Sequence, residues 1–168
     1  MLNDLLKQHK AAILKEWVDS LTNSYQDDTS KFLKKQNDAF ANPVGNAISQ
    51  GLASLLDELA TGMDHTKIKS ALDPVIRIRA VQDFSPSQAI AFIFMLKKII
   101  IKNLKKVSNT NNFTDEVRLI EMKIDTFAMI AFDIYMECRE KINDLKANEL
   151  RNMTFKAFER AGLLSDPV

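Results

Sequence analysis

Along most of the chain, apolar residues recur every three or four positions, the spacing of helices that bury one face. Leu2, Leu6, His9, Ile13 and Trp17 predict a first helix from about Leu2 to about Asn23. Gln26 to Asn37 is polar and lysine-rich and reads as a loop, with room for a short helix holding Phe32 and Leu33. Asn42-Pro43 then opens a helix: Asn is a good N-cap, and Pro at the first helical position loses no hydrogen bond. Its stripe is Val44, Ile48, Leu52, Leu55, Leu56 and Leu59. Gly45 sits inside that helix at about 1 kcal/mol against Ala, which close approach of another backbone would explain.

Gly62 ends this helix and Asp64 can cap the next. Pro74 interrupts the segment Thr66 to Gln82, either capping a second short helix with Asp73 or kinking one helix. Ser85-Pro86-Ser87-Gln88 has the form of a capping box and starts a helix to about Val107. After a turn at Asn109–Asn112, Asn112 or Thr114 caps a very long helix. Its stripe runs Val117, Ile120, Ile124, Phe127, Ala131, Ile134, Cys138, Ile142 and Leu145, and fades near Glu149. A last stretch carries Leu150, Met153, Ala157 and Ala161, with Phe155 and Phe158 to either side, and stops at Gly162. The pattern leaves open whether these two stretches are one helix. No segment alternates as a strand does. The expectation is an all-α helical bundle with a long C-terminal helix, one domain over residues 1–168, of which about 147–162 form a helical extension.

The long helix has a second apolar face. Met122, Met129 and Met136 are seven residues apart, with Phe132 beside them, nearly opposite the main stripe. Seven-residue spacing keeps side chains on one seam of a helix pair. The preceding helix shows the same surplus in Ile90, Phe94 and Ile101. Two such helices exceed what one small core encloses, so the pattern predicts a homodimer with Met122, Met129, Phe132 and Met136 as its interface. The alternative is a central helix buried on both sides within one chain.

Composition narrows the partners. With 23 basic and 22 acidic residues the charge is +1, which gives no footprint for nucleic acid. Cys138 is the only cysteine, so neither an intrachain disulfide nor a Cys-rich metal site is expected. The charged N-terminus lacks a signal-peptide core, and no apolar run approaches the ~20 residues of a membrane span. A soluble, cytoplasmic protein without membrane insertion is the expectation.

Three segments in order resemble a known family: the first helix leading to Phe40-Ala41-Asn42-Pro43-Val44-Gly45, the segment Arg77-Ile78-Arg79-Ala80-Val81-Gln82-Asp83-Phe84-Ser85-Pro86, and the helix holding Ala91-Phe92-Ile93-Phe94. Together they are similar to the N-terminal domain of the RsbR/RsbD type, the sensor-like part of stressosome co-antagonist proteins, from roughly Leu2 to Lys146. The resemblance implies a globin-like helical fold that binds no haem, is usually dimeric and acts as a signal input. Such domains are followed by a phosphorylatable STAS domain, whereas this sequence stops at Val168 and reads as a standalone version.

The candidate chemistry agrees with a protein that does not catalyse. A globin-type site needs an axial ligand, but His9 lies on the first stripe and His65 in a loop, away from the helices that would flank a haem. No nucleophile elbow, base partner for Cys138 or Gly-rich phosphate loop is present. The acidic pairs Asp27-Asp28 and Asp57-Glu58 read as solvated. Lys97, Lys98, Lys102, Lys105 and Lys106 share one side of a helix whose other side is apolar, the pattern of a solvated face. Arg77 and Arg79 interrupt an apolar run on different faces, so one points inward and needs a carboxylate or carbonyls; Asp83, one turn after Arg79, is the expected partner in a structural ion pair. No cofactor or metal is expected. The reading is a sensory or regulatory interaction domain, homodimeric, with an unidentified protein partner. The alternative is a carrier of a small apolar ligand in a cavity between helices.

Overall fold

The computed structural model describes residues 2–25, 42–82, 84–107 and 114–163. These form five helices: α1 (Leu2–Thr22), α2 (Pro43–Ala60), α3 (His65–Val81), α4 (Pro86–Val107) and α5 (Thr114–Arg160). Residues 26–41, Asp83, residues 108–113 and residues 164–168 lie outside the described residues, and with them the short helix expected near Phe32 and the turn expected at Asn109–Asn112. No strand occurs among the described residues. The fold is all-helical with a long C-terminal helix, and it is compatible with the globin-like bundle expected.

Neighbouring helices close a ring. α1 packs on α2 and α4, α4 on α5, α5 on α3, and α3 back on α2. The stripes read from the sequence meet at its centre: Ile13, Trp17 and Leu21 of α1, Leu52 and Leu59 of α2, and Phe127, Ala131 and Ile134 of α5 are almost wholly buried. Trp17 also donates its Nε1–H to the Phe92 carbonyl at 2.7 Å, so the largest core side chain has its one donor paired.

Local signals set the helix starts. Asn42 accepts from the Gly45 N–H at 2.9 Å with Pro43 in the first turn. Asp64 accepts from the N–H groups of Thr66 and Lys67. Ser85 and Gln88 form the reciprocal capping box, each side chain taking the other's backbone N–H, at 3.3 and 3.0 Å.

Four details differ from expectation or settle what the sequence left open. A β-carbon at Gly45 would first meet the capping side chain of Asn42; the close backbone approach is at Gly51, whose added β-carbon would lie 2.6 Å from the Ala71 carbonyl oxygen. Gly62 follows α2, yet the left-handed residue of the turn is Met63, with φ 56°. Pro74 lies inside a continuous α3, so it opens no second helix. His65 is not in a loop but is the first residue of α3.

The ending that the sequence left open is also resolved. α5 is one helix of 47 residues, about 70 Å long at 1.5 Å per residue. Its core stripe is buried as far as Cys138, Ile142 is half-buried, and every residue from 143 to 163 is exposed. Leu145, assigned to the stripe by periodicity, is 65% exposed because the helix has left the bundle by then.

Candidate functional site

Arg79 is the one arginine drawn fully inside, at 1% exposure, while Arg77, two residues earlier and on the other side of the helix, stays at the surface and bridges Asp73 at 2.6 Å. Its position at the end of α3 aims the guanidinium at the first turn of α4. Nε donates to the Ala89 carbonyl at 3.0 Å, Nη2 to the Gln88 carbonyl at 2.9 Å, and Nη1 to the Ser24 hydroxyl at 2.9 Å. The cation also lies over Phe84 at 4.2 Å, Tyr25 at 5.0 Å and Phe92 at 5.6 Å from the ring centroids. Carbonyl dipoles and ring faces therefore surround the buried charge, both favourable to a cation. Asp83, the partner expected from sequence, lies outside the described residues.

This cluster ties three chain segments together: the end of α1, the end of α3 and the start of α4. Tyr135 of α5 adds a fourth, donating its hydroxyl to the Phe84 carbonyl, and Arg139 donates to the Ala80 carbonyl at 3.1 Å. These side chains pack between the end of α3 and the start of α4. His9 is half-buried on α1, and His65 is exposed at the first position of α3. Among the described residues no cluster of His, Cys, Asp or Glu could hold a metal ion.

Glu58 corrects one sequence expectation. It is buried, not solvated, with Oε2 accepting the Asp64 N–H at 2.9 Å and Oε1 3.6 Å from Lys67. Its own carbonyl accepts from Thr61 and Met63, so one residue closes both ends of the α2–α3 turn. Nothing in the spacing distinguished it from Asp57, which bridges Lys10 at the surface. The lysine face of α4 is used in bridges between helices, Lys97 to Asp125 and Lys102 to Glu16, each at 2.6 Å.

Cys138 is buried, and burial pushes its thiol pKa up while nearby Arg77 pulls it down less strongly. Reaction requires the thiolate. Alkylation at pH 8 should therefore run at least about tenfold slower than for a free thiol, read by mass spectrometry. Labelling as fast as glutathione would mean that α5 opens readily there.

A different surface distinguishes the outside of the bundle. Met122, Met129, Phe132 and Met136 of α5 are 60, 72, 43 and 38% exposed, so this row is not core of the chain's own bundle. Phe94 and Met95 of α4 are each 43% exposed. Phe94 precedes Lys97 by one turn, and Met122 and Met129 stand one turn either side of Asp125, so the Lys97–Asp125 bridge joins the two sets into one face. Of the other surplus residues of α4, Ile90 packs against the core instead and Ile101 is half-buried. Between α2 and α3 a groove of about 410 Å³ runs past Ala47, Gly51, Ser54, Ser70 and Pro74, open to solvent and lined by small side chains.

No helix among the described residues is long and apolar enough to cross a membrane. No curated protein and no solved structure matches the chain. The family model that does match, over residues 11–150, is that of the RsbT co-antagonist protein rsbRD N-terminal domain, and the chain belongs to this family of regulatory, sensor-type domains.

Proposed function

We propose that this chain is a non-enzymatic sensory or regulatory domain that works as a homodimer in the cytoplasm and signals through protein contacts. The observation that carries the reading is the exposed methionine row on α5, continuous with Phe94 and Met95 on α4. Fully burying a Met or Phe side chain is worth roughly 1.5–3 kcal/mol, so a row of four left in water is a large unused gain. Seven-residue spacing suits the row to a second copy of itself, since a two-fold axis brings like positions together. Membership of a regulatory family supports the same reading, because such a domain has to convert an internal change into a contact made outside itself. The filled interior around Arg79 favours contacts at the surface over a ligand carried between these helices.

The test is Met129→Glu. Met129 is the most exposed of the row, so the change leaves the bundle intact and places a carboxylate in the middle of the seam. Two such carboxylates facing each other should weaken the dimer by at least about a hundredfold in Kd, about 2.7 kcal/mol. Light scattering should show a wild-type dimer and a variant monomer with the same helical circular dichroism. A wild type that stays monomeric at high concentration, or a variant that remains dimeric, removes this reading.

A further inference from the structure

We infer that the methionine face of α4 and α5 is a site of reversible oxidation. Two-electron, oxygen-transferring oxidants of the hydroperoxide class convert its thioethers to sulfoxides and hold the chain as a monomer. This names a regulation of the interface proposed above and rests on that reading.

The chain keeps its methionines out of its core. Seven occur in the sequence. Met95, Met122, Met129, Met136 and Met153 are exposed and Met63 is half-buried. Among the described residues none is buried, and the core is built from Leu, Ile, Val, Ala, Phe, Trp, Tyr and Cys. Methionine is an ordinary filler of core gaps, so this distribution is unusual. Met95, Met122, Met129 and Met136 instead share one face with Phe94 and Phe132. Leucine at these positions would gain as much from burial against a second copy, so burial alone does not select methionine. What methionine adds is a thioether, which oxidises reversibly and turns an apolar side chain polar.

Exposure decides which sulfur reacts. Cys138 is buried, and burial holds its thiol in the protonated form, which oxidants attack poorly. A thioether needs no deprotonation. Its lone pair attacks one peroxide oxygen, the S–O bond forms as the O–O bond breaks, and the departing hydroxide takes up a proton to leave water. Sulfur loses two electrons and the peroxide gains them. In a free copy the row stands in water, which both admits the oxidant and solvates the new S=O group. In the closed seam that oxygen is an acceptor among methionine and phenylalanine side chains, and Lys97, the cation within this face, is already held by Asp125 at 2.6 Å. Each sulfoxide should therefore weaken pairing at least about tenfold in Kd. The bundle itself is left intact, because no buried side chain is changed.

The experiment treats the full chain with hydrogen peroxide and follows three readouts over time. These are the mass by light scattering, the helical circular dichroism, and the sulfoxide at each methionine by peptide mass spectrometry. The dimer should give way to a helical monomer in step with oxidation of Met122, Met129 and Met136, not of Met63 or Met153. Methionine sulfoxide reductases of both epimer specificities, with dithiothreitol, should restore the dimer, and dithiothreitol alone should not. Met153→Leu, outside this face, should respond as the wild type does. A dimer that persists with the row fully oxidised overturns this inference and leaves the dimer standing. So does a loss of helix on oxidation, a recovery with dithiothreitol alone, or a Met153→Leu protein that no longer responds. A wild type that is monomeric before any oxidant is added removes the dimer reading, and this inference with it.

Discussion

Arg79→Met is expected to lower the stability of the folded chain by about 2–3 kcal/mol, with little effect on the surface of the bundle. The methionine replaces most of the alkyl stem but none of the three hydrogen bonds to Ala89, Gln88 and Ser24. Hydrogen bonds to a charged group contribute roughly 1.5–3 kcal/mol each before the burial of the charge is set against them. The two carbonyls still have their own helical partners, so no buried acceptor is orphaned and the loss stays moderate. Arg79→Lys should not rescue it. An ammonium cannot span two carbonyls and a hydroxyl in one plane, nor spread its charge over the rings of Phe84 and Tyr25 in the same way. Urea denaturation of both variants measures this. Stability like that of the wild type, accompanied by loss of a bound protein or small molecule, would place Arg79 in a recognition site instead.

The parts of the fold legible in the sequence are those determined by neighbours along the chain. Helix caps at Asn42, Asp64 and Ser85 act within three residues, and each was readable as a short pattern. Core stripes depend only on helical period, which is why Ile120, Ile124, Phe127, Ala131, Ile134 and Cys138 are all buried as the spacing predicts. The second face of α5 was legible for the same reason, and its exposure follows from the way the ring of helices closes without covering it. What the period could not give was where the bundle ends along α5. Leu145 continues the stripe in phase but has no neighbouring helix to meet, since α5 is exposed from residue 143 onward.

Long-range partners were the other loss. Arg79 was recognisable as an inward arginine, but its acceptors Ala89 and Gln88 are backbone carbonyls, which every residue has and no sequence pattern advertises. Glu58 looks like its exposed neighbour Asp57, and only the path of the α2–α3 turn separates a buried cap from a surface carboxylate. The same holds for glycine: both Gly45 and Gly51 lie inside α2, and the sequence treats them alike.

Their difference in space supports the last prediction. Gly51→Leu should destabilise the chain by at least about 3 kcal/mol, and Gly51→Ala by about 1–2 kcal/mol, while Gly45→Ala should stay within about 1 kcal/mol of the wild type. At Gly51 a β-carbon would sit 2.6 Å from the Ala71 carbonyl oxygen and 3.7 Å from Val75 Cγ2. The obstructing atom is backbone inside α3, so relief requires moving one helix against the other, and overpacking of that kind costs roughly 1–3 kcal/mol even for small additions. Better helix propensity returns only about 1 kcal/mol. A leucine adds a branched group in the same place and has to separate α2 from α3, exposing Leu52, Leu72 and Val75, which are now wholly buried. At Gly45 the obstruction is the Asn42 amide at the end of a side chain, which can rotate away. That rotation loses an N-cap worth about 1 kcal/mol and is offset by the gain in propensity. Thermal melts of the three variants should therefore rank Gly45→Ala, Gly51→Ala and Gly51→Leu in falling order. Equal melting temperatures for the two alanine variants would show that α2 and α3 have slack at their crossing, contrary to the contact at Ala71.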